Sequence, residues 1–274
     1  EYRAKIFHGI SQDSLFTVFG AMLNELKDDH VNLVSDFKTS FYGRKYLAQD
    51  NFNWRILVDR YISTSYTITG PFAHNFIADK QIGYVRLSTF SEIIEEEYLD
   101  YILTKYKDTD GMIIDLRQNG GGKIENQYIL LRRFIEKETV VQYTRIKSGP
   151  GHQNFSSPRP VRVTPYKGIR YTKNIVVLID GGTFSSASLF ALHTKAFHHI
   201  TLVGDKTGGG LGMPNGGQLP NGWFYRFSVI QSLDLQQKPD YENGVPPDIP
   251  MFLDTADLSK DEIVEVGMIQ LLKS

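Results

Sequence analysis

Cysteine is absent from this chain, which excludes a disulfide-stapled scaffold and any thiolate metal site and fits an oxidising compartment. Neither sign of charge dominates: 30 Lys plus Arg stand against 31 Asp plus Glu. Without a basic stripe to neutralise phosphates, nucleic acid is not expected as a partner. No apolar run approaches the roughly 20 residues of a membrane span. Repeats and low-complexity tracts are missing, and none of the 7 histidines forms an HExxH pair. His193, His198 and His199 gather around a helix end, where cations suit the dipole, so neither a metal nor a cofactor is expected. What is present is 41% apolar and 12% aromatic residues over 274 positions, enough for one large domain or a core with a smaller subdomain. The chain does not begin with methionine, so processing that removed a targeting segment is expected.

Hydrophobic spacing divides the chain unevenly. Leu15, Phe16, Val18, Phe19, Met22, Leu23 and Leu26 recur at helical spacing over about 14–27, and Val31–Val34 reads as a strand. The aromatic-rich stretch from Phe37 to Ile68 is irregular, and Gly70-Pro71 marks a turn and a boundary. Residues 1–78 are therefore expected to form an N-terminal helical or mixed subdomain, and 79–274 the main α/β core. Within that core, strands at Ile82–Leu87, Met112–Leu116, Thr139–Ile146, Ile175–Ile179, Ile200–Gly204 and Trp223–Ile230 alternate with helices. One helix is capped by Ser91 and runs to Tyr106; another covers about 124–137. This alternation predicts a mostly parallel sheet with flanking helices.

Two glycine-containing turns follow strands of buried character. Asp115-Leu116-Arg117-Gln118-Asn119-Gly120-Gly121-Gly122 leaves one strand, and Gly181-Gly182-Thr183-Phe184-Ser185-Ser186-Ala187-Ser188 leaves another and enters a helix. Successive glycines permit positive φ and close backbone approach. A serine at a strand-to-helix turn stands beside the free N–H groups of the helix's first turn, which favour developing negative charge. The first turn is not a nucleotide-binding P-loop, because Arg117 and Ile124 occupy the first Gly and the Ser/Thr positions. The second is not a GxSxG elbow, since Thr183 and Ala187 flank Ser185 at the glycine positions.

Together the turns resemble the DLRxNxGG and TxSxA-type segments of the tricorn-core and carboxyl-terminal processing serine peptidases. Gly204–Gly210 is similar to that family's GExTxG turn, Gly244-Val245-Pro246-Pro247-Asp248-Ile249 to its GVxPDI segment, and Leu26–His30 to the L-x-D-G-H segment of the tricorn-type branch, with Asp29 in place of glycine. No room exists between His30 and Tyr84 for a PDZ module. The resemblance implies a ClpP/crotonase-like core and hydrolysis of peptides or unfolded proteins through an acyl-enzyme. It implies Ser185 as nucleophile, His30 as base and Glu242 as the acid orienting the imidazole, whose ordinary pKa is near 6.5. The oxyanion would be held by the N–H groups of Ser186 and Gly121, with Gly120 as the near alternative. An extracytoplasmic location is likewise implied.

Rival readings follow from the same residues. Ser186 and Ser188 compete as nucleophiles, and Lys206 could serve a Ser–Lys dyad, although the dyad lysine's own position holds Gly210. Phe155, Trp223 and Phe224 could line a side-chain pocket or simply pack. A non-catalytic peptide- or lipid-binding protein of the same fold is the alternative function; a crotonase-like acyl-CoA enzyme would not need a serine–histidine pair.

Overall fold

The runs Met112–Ile114 and Ile175–Ile179 have no polar face to turn to water, and both strands that contain them are buried at every position. The computed structural model describes residues 1–43, 48 and 50–273. Its N-terminal part holds α1 (Gln12–Asn24), β1 (Asn32–Val34), β2 (Thr39–Phe41), α2 (Trp54–Leu57, continued by a π-turn over Val58–Ile62) and β3 (Thr67–Thr69). There follow β4 (Phe72–Ile77), β5 (Ile82–Leu87), α3 (Glu96–Lys105), β6 (Gly111–Asp115), α4 (Ile124–Leu131), β7 (Thr139–Ile146) and β8 (Arg159–Val163). The last part contains β9 (Ile175–Ile179), α5 (Ser186–Thr194), β10 (Ile200–Gly204), β11 (Met213–Gln218), β12 (Phe224–Leu233), β13 (Ile249–Pro250) and α6 (Glu262–Leu272).

The main sheet has the order β13-β10-β9-β6-β5-β4-β3, parallel from β13 to β5 and antiparallel at β4 and β3. Alternate residues of its strands feed two apolar layers, as the two-residue period of a strand requires. Ile114, Val177 and Leu202 pack with α3, α4 and α5 on one face. Ile113, Val176 and Val203 pack with α2 and α6 on the other. A second sheet, β2-β1-β12-β7-β8 with β11 on the free side of β12, is antiparallel throughout. Helix α1, capped by Ser11 Oγ accepting from Ser14 N, covers it through Phe16, which packs with Leu33 and Trp223.

The structure redraws three sequence expectations. Gly70-Pro71 is not a boundary between units but the bend of the β3–β4 hairpin, and β4 pairs with β5 over six residues. The N-terminal segment thus contributes strands to both sheets, so a division at 78 cuts through hydrogen-bonded structure. Strand β7 leaves the parallel core for the second sheet, where the segment 149–171 supplies β8 as its partner. Finally, α3 begins after Glu95 rather than Ser91. The Phe90 and Glu92 carbonyls accept from the Asn126 side chain at 2.7 and 2.5 Å, a long-range alternative to helical hydrogen bonds. Part of the irregular Phe37–Ile68 stretch, at 44–47 and 49, lies outside the described residues.

Candidate active site

Strand β9 ends at Ile179, and six residues later α5 begins with Ser185 as its N-cap. Ser185 has φ 56° and ψ −122°, a backbone region that costs a non-glycine residue about 1–3 kcal/mol. Neighbouring turns hold it there. Ser185 N–H donates to the Gly209 carbonyl and Phe184 N–H to the Asn119 carbonyl, both at 2.9 Å. The Gly204–Gly210 turn therefore clamps the serine from one side and the glycine turn from the other. Among the rival hydroxyls, Ser188 is fully buried and donates to the Thr183 carbonyl at 3.0 Å, while Ser186 is buried at 3% exposure. Of the three, Ser185 lines the open cleft.

Asp180, just past β9, ties the two turns together. Its Oδ1 accepts from the N–H groups of Gln118, Gly182 and Thr183, and its Oδ2 from the Gln118 side chain. Burial nevertheless outweighs these donors and raises its pKa. Asn119 Nδ2 donates to the Leu87 carbonyl, and its Oδ1 accepts from Gly121 N at 2.9 Å. Gly121 has φ +93°, and a Cβ there would fall 2.8 Å from Ser185 Cβ and 3.0 Å from Ser186 N. Only glycine lets this turn touch the serine turn so closely. The expected Gly121 donor is thus engaged by Asn119 in this conformation, whereas a Cβ on Gly120 would meet nothing within 4 Å. The Ser186 N–H stands at the first turn of α5, where intrahelical acceptors are lacking.

The histidine arrives from 155 residues away. His30 lies two residues before the start of β1, whose pairing with β12 sets Asn32 opposite Arg226. Asn32 Nδ2 and Arg226 Nε both donate to the His30 carbonyl, at 3.1 and 3.2 Å. Its ring packs on Phe184 with centroids 4.9 Å apart, and Nε2 lies 3.0 Å from Ser185 Oγ. With Nδ1 carrying the proton, the serine O–H donates to Nε2 and the imidazole is placed to receive its hydrogen.

The carboxylate beside this ring is one the sequence reading did not single out for that role. Asp28 Oδ1 is 3.7 Å from His30 Nδ1 and accepts from His30 N at 2.8 Å. Asp28 Oδ2 accepts from Ser228 Oγ at 2.5 Å. Glu242, expected as the orienting acid, is half-buried. Its pKa is raised to about 8 by burial, with the Asp28 charge adding to the rise and the Leu211 and Gly212 backbone amides opposing it. Burial thus favours the neutral form of this carboxyl group. The signal for Asp28 was its place two residues before the histidine, where a tight turn folds a side chain back onto the following N–H.

Other candidates fall away from this constellation. Lys206 is exposed, with its side chain against Gly244. His193 is fully buried with its pKa lowered to about 3 by burial, and His199 contacts the Phe134 carbonyl. Trp223 packs against Phe16 in the core beneath α1, while Phe224 is exposed and Phe155 carries the Arg145 guanidinium over its ring. Among the described residues no group of three or more His, Asp or Glu side chains could hold a metal ion.

The model of peptidase family S41 matches residues 81–251, more than half of the chain. The chain belongs to peptidase family S41. That S41 match contains both turns and Glu242, while His30 and Asp28 precede it. The carboxy-terminal processing protease CtpA of Bacillus subtilis (strain 168) is 26% identical over 184 residues, covering 67% of this chain and 38% of the relative. The chain thus spans less than two-fifths of that relative's length. A candidate peptidase of Parabacteroides merdae ATCC 43184, solved at 2.26 Å, is 35% identical and superposes with a TM-score of 0.93 over 99% of this chain and 86% of its own. Mature CPAF, at 17% identity, shares the fold with a TM-score of 0.61 over 79% of this chain and 58% of its own. No described helix is long and apolar enough to cross a membrane.

Proposed function

We propose that this S41 protein hydrolyses peptide bonds by acyl transfer, with Ser185 as nucleophile and His30 as general base. The observation that carries the reading is the 3.0 Å separation of His30 Nε2 and Ser185 Oγ, made by a serine held in a costly backbone conformation. The parallel core sheet with helices on both faces also fits a ClpP/crotonase-like core.

Ser185 Oγ attacks the substrate carbonyl carbon as its proton passes to His30 Nε2, and the carbonyl electron pair moves onto oxygen. The imidazolium then protonates the departing amine nitrogen, the C–N bond breaks, and an ester remains on Ser185. Water, deprotonated by His30, adds to the ester carbonyl; the C–O bond to Ser185 breaks and the proton returns to the serine. Asp28, rather than Glu242, faces Nδ1 and stabilises the imidazolium, while Glu242 backs Asp28 as a neutral acid. Ser186 N–H supplies one oxyanion donor. The glycine turn supplies the second, from Gly120 beside open space or from Gly121 on release from Asn119. Loss of one such donor typically lowers the rate by about 10²–10³.

The substrates are peptides or unfolded proteins, bound as extended segments at a sheet edge, in an extracytoplasmic setting. Labelling by a fluorophosphonate probe tests the reading: wild type should label, and both Ser185→Ala and His30→Ala should not. Absence of labelling in wild type at neutral pH would favour a non-catalytic binding protein.

A further inference from the structure

We infer that Phe184 is a positioning residue for the general base: its ring, seated against the bare backbone of Gly210, holds the His30 imidazole toward Ser185. The inference rests on the peptidase reading above and adds to it the side chain that aims the base. Backbone contacts fix His30 without fixing its ring. Asp28 accepts from its N–H, and Asn32 and Arg226 donate to its carbonyl, yet rotation about χ2 of a histidine has a broad profile. Asp28 Oδ1, 3.7 Å from Nδ1, lies beyond hydrogen-bond length, so it supplies charge and little direction. Phe184 supplies direction. Its ring stands 4.9 Å from the imidazole, centroid to centroid, with the planes tilted by 49°, inside the range in which aromatic rings pair. Both residues line the cleft together with Ser185.

The backbone of Phe184 is pinned. Its N–H donates to the Asn119 carbonyl at 2.9 Å, its carbonyl accepts from Ala187 N at 3.1 Å, and the residue bridges Gly209. Being next to the nucleophile in the chain, it carries its ring in the same frame as the Ser185 hydroxyl, one peptide unit away. The outer edge of the ring rests where a side chain of residue 210 would stand. A Cβ on Gly210 would overlap Cζ and Cε2 and lie 3.0 Å from Cε1. Gly210 has φ +68°, and its N–H donates to the Glu242 carbonyl at 3.1 Å, so the seat is fixed as well. A buried ring pinned at its root and seated at its rim is a rigid wall for the imidazole. General-base catalysis needs the accepting nitrogen within hydrogen-bond reach of the proton, and a misplacement of about 1 Å can lower the rate 10²-fold.

The test compares wild type with Phe184→Leu and Phe184→Met, apolar replacements without a ring. One readout is the rate of fluorophosphonate labelling. The other, taken on the free protein by NMR, is the nuclear Overhauser contact between the His30 ring protons and the Ser185 β-protons, which needs no turnover. Thermal unfolding identifies a variant that has lost its fold, and the other variant then carries the test. We expect labelling slower by about 10–10²-fold and a weakened contact, with the resonances of His74 on β4 unmoved. Gly210→Ala intrudes on the seat of the ring and should slow labelling by more than about tenfold. Added to Phe184→Leu, whose shorter side chain leaves that space open, it should slow labelling by less than about threefold further. Alanine at a positive φ is common to both backgrounds, so the difference isolates the ring. For a wild type that labels, either readout at its wild-type level in a folded variant overturns the inference, as do losses that multiply in the double variant. So does the absence of a His30–Phe184 contact in wild type itself. If wild type fails to label while the His30–Ser185 contact weakens in the variants, the peptidase reading sinks and the aimed imidazole stands.

Discussion

Replacing Asp28 by asparagine removes one charge while preserving nearly every contact around it. The amide oxygen can still accept from His30 N, and the amide nitrogen can donate to Ser228 Oγ in place of accepting from it. What disappears is the carboxylate 3.7 Å from His30 Nδ1. Side-chain exposure is 8% for His30 and 11% for Asp28, so water screens the pair little. At an effective dielectric constant of 20 the attraction at this separation is about 4 kcal/mol, and it exists only when the imidazole is protonated, as it is in the transition state. Allowing for relaxation, a loss of roughly 2–4 kcal/mol corresponds to a rate lower by about 30-fold to 10³-fold. The assay is the second-order rate of fluorophosphonate labelling across pH 5–9, with thermal unfolding as a check on the fold. Removing the anion also disfavours the imidazolium, so the acid limb of the profile moves to lower pH. A labelling rate within threefold of wild type, with an unmoved acid limb, would falsify the assignment of Asp28 as the residue that steadies the imidazolium.

Glu242→Gln should cost less than about tenfold in labelling at pH 7, because burial raises the Glu242 pKa to about 8 and favours its neutral form; a loss as large as that of Asp28→Asn would return Glu242 to the role of charged partner. The same variant has a stability signature. A folded-state pKa of about 8 against an ordinary 4.5 means the native state binds the extra proton more tightly, so this stabilisation is full below 4.5 and is lost as pH rises through 8. Thermal melts should show wild type losing stability relative to Glu242→Gln over that window. Ser185→Gly should abolish labelling yet melt about 2–4 °C above Ser185→Ala, since glycine relieves a backbone cost of about 1 kcal/mol net of its own entropy; an equal or lower melting temperature would argue against stored strain. Gly121→Ala should lose labelling by more than about 10² and unfold more easily, whereas Gly120→Ala should keep wild-type stability within about 0.5 kcal/mol. Lys206→Ala should label at the wild-type rate, and loss of labelling there would revive a lysine base.

The amino-acid order by itself determined the parts of this protein whose cause is local. Continuous apolar runs at Met112–Ile114 and Ile175–Ile179 can only be central strands, because no face of them tolerates water. Gly120–Gly122 and Gly181–Ser185 had to be turns, because glycine and small polar residues permit the backbone angles that bulky ones resist. What needed tertiary structure was everything set by pairing between distant segments. The sequence could not place β7 in the second sheet, nor show that the Gly70-Pro71 bend joins two strands of the main one, since strand partners are chosen by long-range packing and leave no local mark. The site follows the same division. Ser185 was legible from its turn, and His30 from the resemblance of its motif, but their 3.0 Å meeting depends on β1 pairing with β12 across 155 intervening residues. The approach of Asp28 Oδ1 to 3.7 Å from His30 Nδ1 was equally beyond the sequence. Which carboxyl group comes to lie beside the ring depends on the long-range pairing that places the turn before β1, a property of the folded chain alone.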